Sequence, residues 1–209
     1  MSQIENSVSS IDLTNKSVLL RVDFNVPLKG SELLDDERLV RALPTINLIA
    51  QKAKSLKIIS HLGRPEETGL VQDKFSLKPV AKKLAELLGQ EVKLVNSLKE
   101  LKSLENISML ENIRFYKGEK QNENNLSQAL AETADVFVMD AFGTAHRKQA
   151  STYGVTEFVK EACVGLLVEE ELMALKKIVD SPEKPLLGII GGSKISTKMK
   201  ILKSLTNHV

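Results

Sequence analysis

The sequence is poor in the residues that build metal centres and covalent staples. Its 209 residues include one cysteine, Cys163, and three histidines, so an internal disulfide is excluded and no Cys/His metal-ligand spacing exists. A reducing compartment, the cytoplasm, is the expectation. No apolar run reaches the length that crosses a bilayer, and the amino terminus "MSQIENSVSSIDL" has neither a basic start nor an apolar stretch. Neither sign of charge is in excess: 29 Lys+Arg against 27 Asp+Glu leave a net charge of +2, which gives no whole-molecule field for nucleic acid or an anionic membrane. Any anion binding must come from local clustering. What is present, 42% hydrophobic and 27% charged residues, is the balance of a globular chain able to bury a core.

Short apolar runs alternate with segments of helical period. The runs "SVLLRVDFNV" (17–26), "KIIS" (57–60), "ISML" (107–110), "DVFVMDAF" (135–142) and "PLLGII" (185–190) predict strands. Between them, residues 35–55 place Leu39, Leu43, Ile46 and Ala50 at helical spacing, with Pro44 as a kink. Residues 76–90 offer Ser76 as N-cap, a stripe of Leu77, Val80, Leu84 and Leu87, and Gly89 as the stop. Residues 122–134 are helix-prone. The order predicts an α/β fold: an open, mostly parallel sheet with helices on both faces, a Rossmann-like three-layer arrangement. The charged amphipathic stretch 167–185 predicts a connecting helix with a domain boundary near 180, followed by the beginning of a second α/β domain.

Arginine is used sparingly, 6 against 23 lysines, so its placement carries information. Arg64 in "SHLGRP", Arg114 in "LENIRFY" and Arg147 in "DAFGTAHR" each follow a predicted strand, and Arg38 opens the helix after the first one. The carboxyl ends of parallel strands form the ligand crevice of such a sheet. Guanidinium forks pair two-pronged with carboxylate and phosphate. A single loop arginine is ordinarily a solvated surface charge, and a lone His61 a structural one. Four arginines at strand ends, with His61 beside them, instead predict a small substrate carrying at least two anionic groups.

The segment "GIIGGSKISTKMK" (188–200) puts Gly191 and Gly192 between a strand and a helix and sets Lys194 and Lys198 four apart on one helix face. The lysines alone read equally well as surface charge; with the tight "GGSK" turn they predict a phosphate site. The P-loop pattern fails, because counted from Gly188 its second glycine falls on Ser193 and its hydroxyl on Ile195. Cys163 reads as a small packed side chain.

Taken together, "RVDFNVPL", "SHLGRP", "LENIRFYKGE", "DAFGTAHR" and "GGSKISTK" resemble phosphoglycerate kinase, in order from about residue 11 to the end. The resemblance implies reversible phosphoryl transfer between 1,3-bisphosphoglycerate and ADP, giving 3-phosphoglycerate and ATP with Mg²⁺ on the nucleotide, by a monomeric cytoplasmic enzyme of glycolysis. No protein-held metal, nucleic acid or membrane enters that picture. It implies that Asp23 and Asn25 contact the hydroxyl and carboxylate end of the substrate, that Arg38 steadies the transferring group, and that His61, Arg64, Arg114 and Arg147 complete the substrate patch. Lys194 and Lys198 resemble the lysines near the transferring phosphoryl, beside Gly191 and Gly192 of the nucleotide turn. Arg21 is expected to pair structurally with a carboxylate. The implied domains are 1–166 for phosphoglycerate, 167–182 as hinge helix, and 183–209 as the first strand and helix of a nucleotide domain.

Two features depart from the family pattern. Many members carry a second histidine at or beside Gln149, and members run to roughly twice this length, as two domains of ordinary size would. The expectation is therefore a chain that binds phosphoglycerate and is inactive alone. The alternatives are an isolated, non-catalytic phosphoglycerate-binding module and a structural role, which leaves the arginine placement unexplained.

Overall fold

The computed structural model describes residues 6–180 together with 187 and 189. Two compact units divide the chain, Met1–Glu169 and Glu170–Val209. In order, the elements are β1 (Ser17–Val22), β2 (Leu28–Lys29), β3 (Glu32–Leu33), α1 (Glu37–Lys52), β4 (Ser55–Ile59), α2 (Lys78–Leu88), β5 (Lys93–Val95), α3 (Leu98–Ser103), β6 (Ile107–Leu110), α4 (Asn124–Ala131), β7 (Val136–Asp140), α5 (Phe142–Ala145), β8 (Glu161–Val164) and α6 (Leu166–Asp180), with four short 3₁₀ turns. The expected strand 185–190 and the lysine-bearing helix after it lie outside the described residues.

Six strands form one sheet in the order β5-β6-β4-β1-β7-β8, and every pairing in it is parallel. Strands β2 and β3 make a separate antiparallel hairpin. Helices cover both faces, as the sequence predicts. On one face Leu20, Ile58 and Val138 pack with Ile46 and Ile49 of α1 and Leu84 of α2. On the other, Leu19, Ile59 and Phe137 pack with Leu101 of α3 and Leu130 of α4. A strand covered on both faces has no solvent side, which is why "VLL" and "VFVM" read as continuous apolar runs.

The local rules that shape the helices are visible in their ends and faces. Gly89 closes α2 in the left-handed conformation at φ +64°, which suits a residue without a Cβ. Helix α2 begins one residue later than the sequence predicts, at Lys78, yet Ser76 still serves it: its Oγ accepts from the Lys78 N–H at 3.2 Å. The first strand is shorter than its apolar alternation implies, because pairing with β4 ends at Arg21 and with β7 at Val22. Residues 23–27 are loop. The buried stripe of α1 is Leu39, Ala42, Thr45, Ile46 and Ile49. Leu43 and Ala50, placed on the stripe by spacing alone, are half-buried beside it.

The topology positions a crevice. From β1 the chain moves to its neighbour β4, skips to the edge strand β5, steps back to β6 between them, and then crosses β1 to β7 and β8. Its direction therefore reverses between β1 and β7, and ligands of open parallel sheets bind beyond the carboxyl ends at such a point. The loops following β1 and β7 meet there: a Cβ on Gly143 would lie 3.4 Å from Asp23 Oδ2. Asp140, the last residue of β7, accepts from the Val168 N–H at 3.1 Å. The Leu166 N–H donates to Thr45 Oγ1, also at 3.1 Å, so the first turn of α6 is tied to β7 and α1.

Candidate active site: an arginine-lined crevice

Three loops at the carboxyl rim are bound to one another by side chains, which gives the crevice a defined shape. The Phe24 N–H donates to Ser60 Oγ at 2.8 Å and the Gly63 N–H to Asn25 Oδ1 at 2.8 Å, joining the loops after β1 and β4. Asn112 joins those after β4 and β6: its Oδ1 accepts from the Leu62 and Arg114 N–H groups, and its Nδ2 donates to the carbonyls of Leu62 and Phe75. All of its hydrogen-bonding capacity is spent on backbone, so it acts as a brace rather than a ligand. The Glu111 carboxylate accepts from the Leu77 N–H and from Ser76 Oγ, each at 2.6 Å, and thereby holds the first turn of α2.

At Gly63 the backbone takes φ +61°, and a Cβ would sit 2.5 Å from the Phe75 ring. Only glycine serves both the turn and the close approach. That turn aims the 63–64 segment over the site, where the Arg114 guanidinium Nη1 donates to the Gly63 carbonyl.

Seven of the residues expected from the sequence gather here. Asp23, just past β1, pairs with Arg38 of α1 at 2.5 Å and accepts from the Asn25 N–H at 3.2 Å. Arg114 is buried, with an Nε that has no partner. Its pKa is lowered, first by burial and then by the nearby cations of Arg147 and Arg64. His61 is 3% exposed. Burial and the surrounding guanidinium groups of Arg21, Arg114, Arg147 and Arg38 push its pKa down to about 2, so it stands neutral. Its Nδ1 lies 3.8 Å from Asp23 Oδ1, which is proximity without an ion pair. Lys194, Lys198, Gly191 and Gly192 lie outside the described residues, and no placement is assigned to them. Among the described residues no group of three or more His, Cys, Asp or Glu side chains could hold a metal ion.

The rim is thus a cluster of cations that, together with burial, keeps the imidazole neutral, with the Asp23 side chain inside it. Like charges in this arrangement repel when the site is empty, and an anionic ligand would relieve the repulsion. The opposite rim contrasts with it. A groove of about 470 Å³ between the amino ends of β4, β5 and β6 is lined by Lys54, Gln90, Glu91, Lys93, Glu105 and Asn106, among others. Its Lys54 and Glu105 pair at 2.7 Å, so charge there is matched rather than convergent.

The neutral His61 gives a first testable consequence. Its folded-state pKa lies well below its ordinary 6.5. Above that value the ring is neutral in both states; as pH falls below it, only the unfolded chain takes up the proton, so stability is lost with acidification. The chain is expected to lose up to about 1.4 kcal/mol per pH unit, between the two pKa values, relative to a His61→Gln variant. Urea unfolding of both proteins at several pH values between neutrality and mild acidity measures this, and parallel curves would remove the neutral imidazole from the account.

Sequence reasoning missed the layer beneath the site. Arg21 is wholly buried in β1; its Nε donates to Ser151 Oγ at 3.1 Å, its Nη1 donates to the Val22 carbonyl, and its Nη2 lies 3.3 Å from His61 Nδ1. Ser151 in turn donates to Glu119, by Oγ at 2.6 Å and by its N–H at 3.0 Å. The carboxylate expected for Arg21 is therefore reached through a hydroxyl. Burial pushes the Glu119 carboxyl up and the Arg21 guanidinium down, and their mutual attraction opposes both shifts. The alternation of β1 held a signal for this: Arg21 shares a face with Leu19, which is packed under α3 and α4, so its charge had to find an anion inside.

Comparison with known proteins agrees with the fold. A family model described as phosphoglycerate kinase matches residues 8–209. A phosphoglycerate kinase of Coxiella burnetii is 46% identical over 204 residues, which is 97% of this chain and 52% of that protein. One from Francisella tularensis subsp. novicida is 45% identical over 206 residues, with the same coverage. Among solved structures, phosphoglycerate kinase from Coxiella burnetii superposes with a TM-score of 0.88 at 48% identity, and that from Pyrococcus horikoshii with 0.83 at 29%. Each covers 97% of this chain and 52% of the other. The chain spans about half the length of the curated relatives it matches. With a matching family model over nearly its whole length and an arginine crevice at the switch point of the sheet, the chain belongs to the phosphoglycerate kinase family.

Proposed function

We propose that this chain supplies the phosphoglycerate site of a phosphoglycerate kinase, the phosphotransferase that moves a phosphoryl group reversibly between 1,3-bisphosphoglycerate and ADP. The observation that carries the reading is the convergence of Arg38, Arg64, Arg114 and Arg147 around a neutral His61 at one rim, an arrangement suited to a small dianionic ligand. In this reading Asp23 and Asn25 receive the hydroxyl and carboxylate end. Arg64, Arg114, Arg147 and His61 hold the anionic groups, and Arg38 neutralises charge on the equatorial oxygens of the transferring phosphoryl. Such transfer asks the protein for alignment and charge stabilisation rather than for a nucleophilic side chain.

Lys194 and Lys198, with the amides at Gly191 and Gly192, are assigned to the transferring phosphoryl and the nucleotide phosphates. Mg²⁺ arrives as part of the nucleotide substrate. Residues 1–166 form the phosphoglycerate domain, 167–182 the connecting helix, and 183–209 the start of the nucleotide domain, in a monomeric cytoplasmic enzyme with no nucleic-acid or membrane partner. Among the described residues no helix is long and apolar enough to cross a membrane.

Titration calorimetry tests this. The chain is expected to bind 3-phosphoglycerate, to bind it about tenfold or more weakly after Arg64→Ala or Arg147→Ala, since a hydrogen bond to a charged group contributes about 1.5–3 kcal/mol, and to show no turnover of Mg-ATP by itself. Unchanged affinity in both variants would sink the site assignment, and ATP-dependent phosphorylation of 3-phosphoglycerate by the purified chain would overturn its inactivity alone.

A further inference from the structure

The relay beneath the crevice sets a property of His61 that its own surroundings leave open. A neutral imidazole carries one N–H and one lone pair, and which nitrogen holds the proton is decided by the partners of the ring. His61 Nδ1 lies 3.3 Å from Arg21 Nη2, and a guanidinium can only donate. Nδ1 must therefore accept. The alternative tautomer would point an N–H at another N–H, and the nearby acceptor, Asp23 Oδ1, is 3.8 Å away, too far for a hydrogen bond.

Arg21 is held in the pose that makes this contact from two further sides. Nη1 is tied to the Val22 carbonyl and Nε to Ser151 Oγ. The Ser151 hydroxyl has its single proton committed to Glu119 Oε1, and its N–H to Glu119 Oε2, so its lone pair faces Arg21. The Ala150 N–H also donates to the Glu119 carbonyl at 2.9 Å. Every member of the chain Glu119, Ser151, Arg21 and His61 is at most 3% exposed, so water does not compete for these bonds.

We propose that Glu119, Ser151 and Arg21 form a positioning relay that holds His61 as the Nε2–H tautomer, leaving a hydrogen-bond donor for the anion that enters the arginine crevice. With the other tautomer a lone pair would be left for that anion instead, and the contact would be repulsive. The relay touches no ligand; it acts through the ring. The identity of the anion rests on the phosphoglycerate reading above, whereas the tautomer does not.

Nitrogen-15 NMR of the histidine-labelled chain reads the tautomer directly, with the His61 signals assigned by their loss in His61→Gln. In the unaltered, ligand-free chain, an unprotonated Nδ1 and a protonated Nε2 are expected. Ser151→Ala is expected to give a mixture of tautomers and to weaken 3-phosphoglycerate binding roughly tenfold, as loss of one hydrogen bond to a charged group does. Glu119→Gln, which preserves volume, is expected to shift the tautomer in the same direction and serves if Ser151→Ala does not fold; if neither variant folds, the tautomer of the unaltered chain decides.

A protonated Nδ1 in the unaltered chain overturns the relay. So does a folded variant whose affinity falls while its tautomer is unchanged, because that marks a merely structural role. If the tautomer responds as expected but no 3-phosphoglycerate binds to any form, the relay stands and the substrate assignment falls.

Discussion

Replacing Arg21 with alanine is expected to destabilise the first unit by about 3–5 kcal/mol, the range seen when one partner of a buried charge pair is removed. The guanidinium is fully buried, and its loss would leave the Glu119 carboxylate, itself 0% exposed, in a low-dielectric interior without the larger of its two nearby countercharges, Arg21 ahead of Arg114. A cavity the size of an arginine side chain would be left beneath β1 as well. For a unit of this size the change corresponds to a drop in Tm of about 2–4 °C per kcal/mol, read by thermal unfolding at neutral pH. Pairing the change with Glu119→Gln should return part of the loss, because the double variant no longer buries a lone charge. A single-variant loss below about 1 kcal/mol would mean that the two charges are not energetically linked.

The second large effect concerns rate. In a complete phosphoglycerate kinase carrying this chain's sequence, Arg38→Ala is expected to lower kcat by about 10²–10³-fold, the scale on which removal of one donor to developing charge slows an enzyme, with a much smaller change in KM for 3-phosphoglycerate. The contrast with Arg114 motivates it. Arg114 is buried and anchored to the Gly63 carbonyl, a fixed feature of the ground-state pocket. Arg38 stands on the first turn of α1 with a half-exposed side chain paired to Asp23, which leaves it free to exchange that partner for charge appearing on the transferring group. Interactions made only in the transition state raise kcat, and their loss leaves binding nearly intact. Steady-state kinetics with both substrates varied would decide it, and a large rise in KM at constant kcat would assign Arg38 to ground-state binding instead.

How far the sequence led differs by the range of the interaction involved. Helices α1, α2 and α4 and the central strands were legible because their period and caps are local: Gly89 stops α2 whatever surrounds it, and "VFVM" is apolar on both faces because both are covered. Strands β5 and β8 were not. Lys93–Val95 has three residues and Glu161–Val164 carries a mixed burial pattern, so neither writes a period. Each exists because a neighbour offers an edge to pair with.

The same division runs through the site. Arginine scarcity pointed to Arg38, Arg64, Arg114 and Arg147 without any contact information. The Ser151–Glu119 bonds span 32 positions, and the Arg21–Ser151 bond spans 130. No local pattern announces bonds of that reach. Lys57 is similar: read only as the start of "KIIS", it is buried and donates to the Thr133 carbonyl at 2.6 Å.

The two rims of the sheet also differ in how far their charges reach. A strand of five residues spans about 17 Å at roughly 3.3 Å per residue, twice the Debye length of about 8 Å at physiological ionic strength. At the amino rim, Lys16 pairs with Glu161 and Lys54 with Glu105, each a self-contained dipole half open to solvent. Exposed pairs of this kind contribute little to stability and, being matched, add little net field toward the carboxyl rim. The sheet thus separates matched charge at one rim from convergent charge at the other.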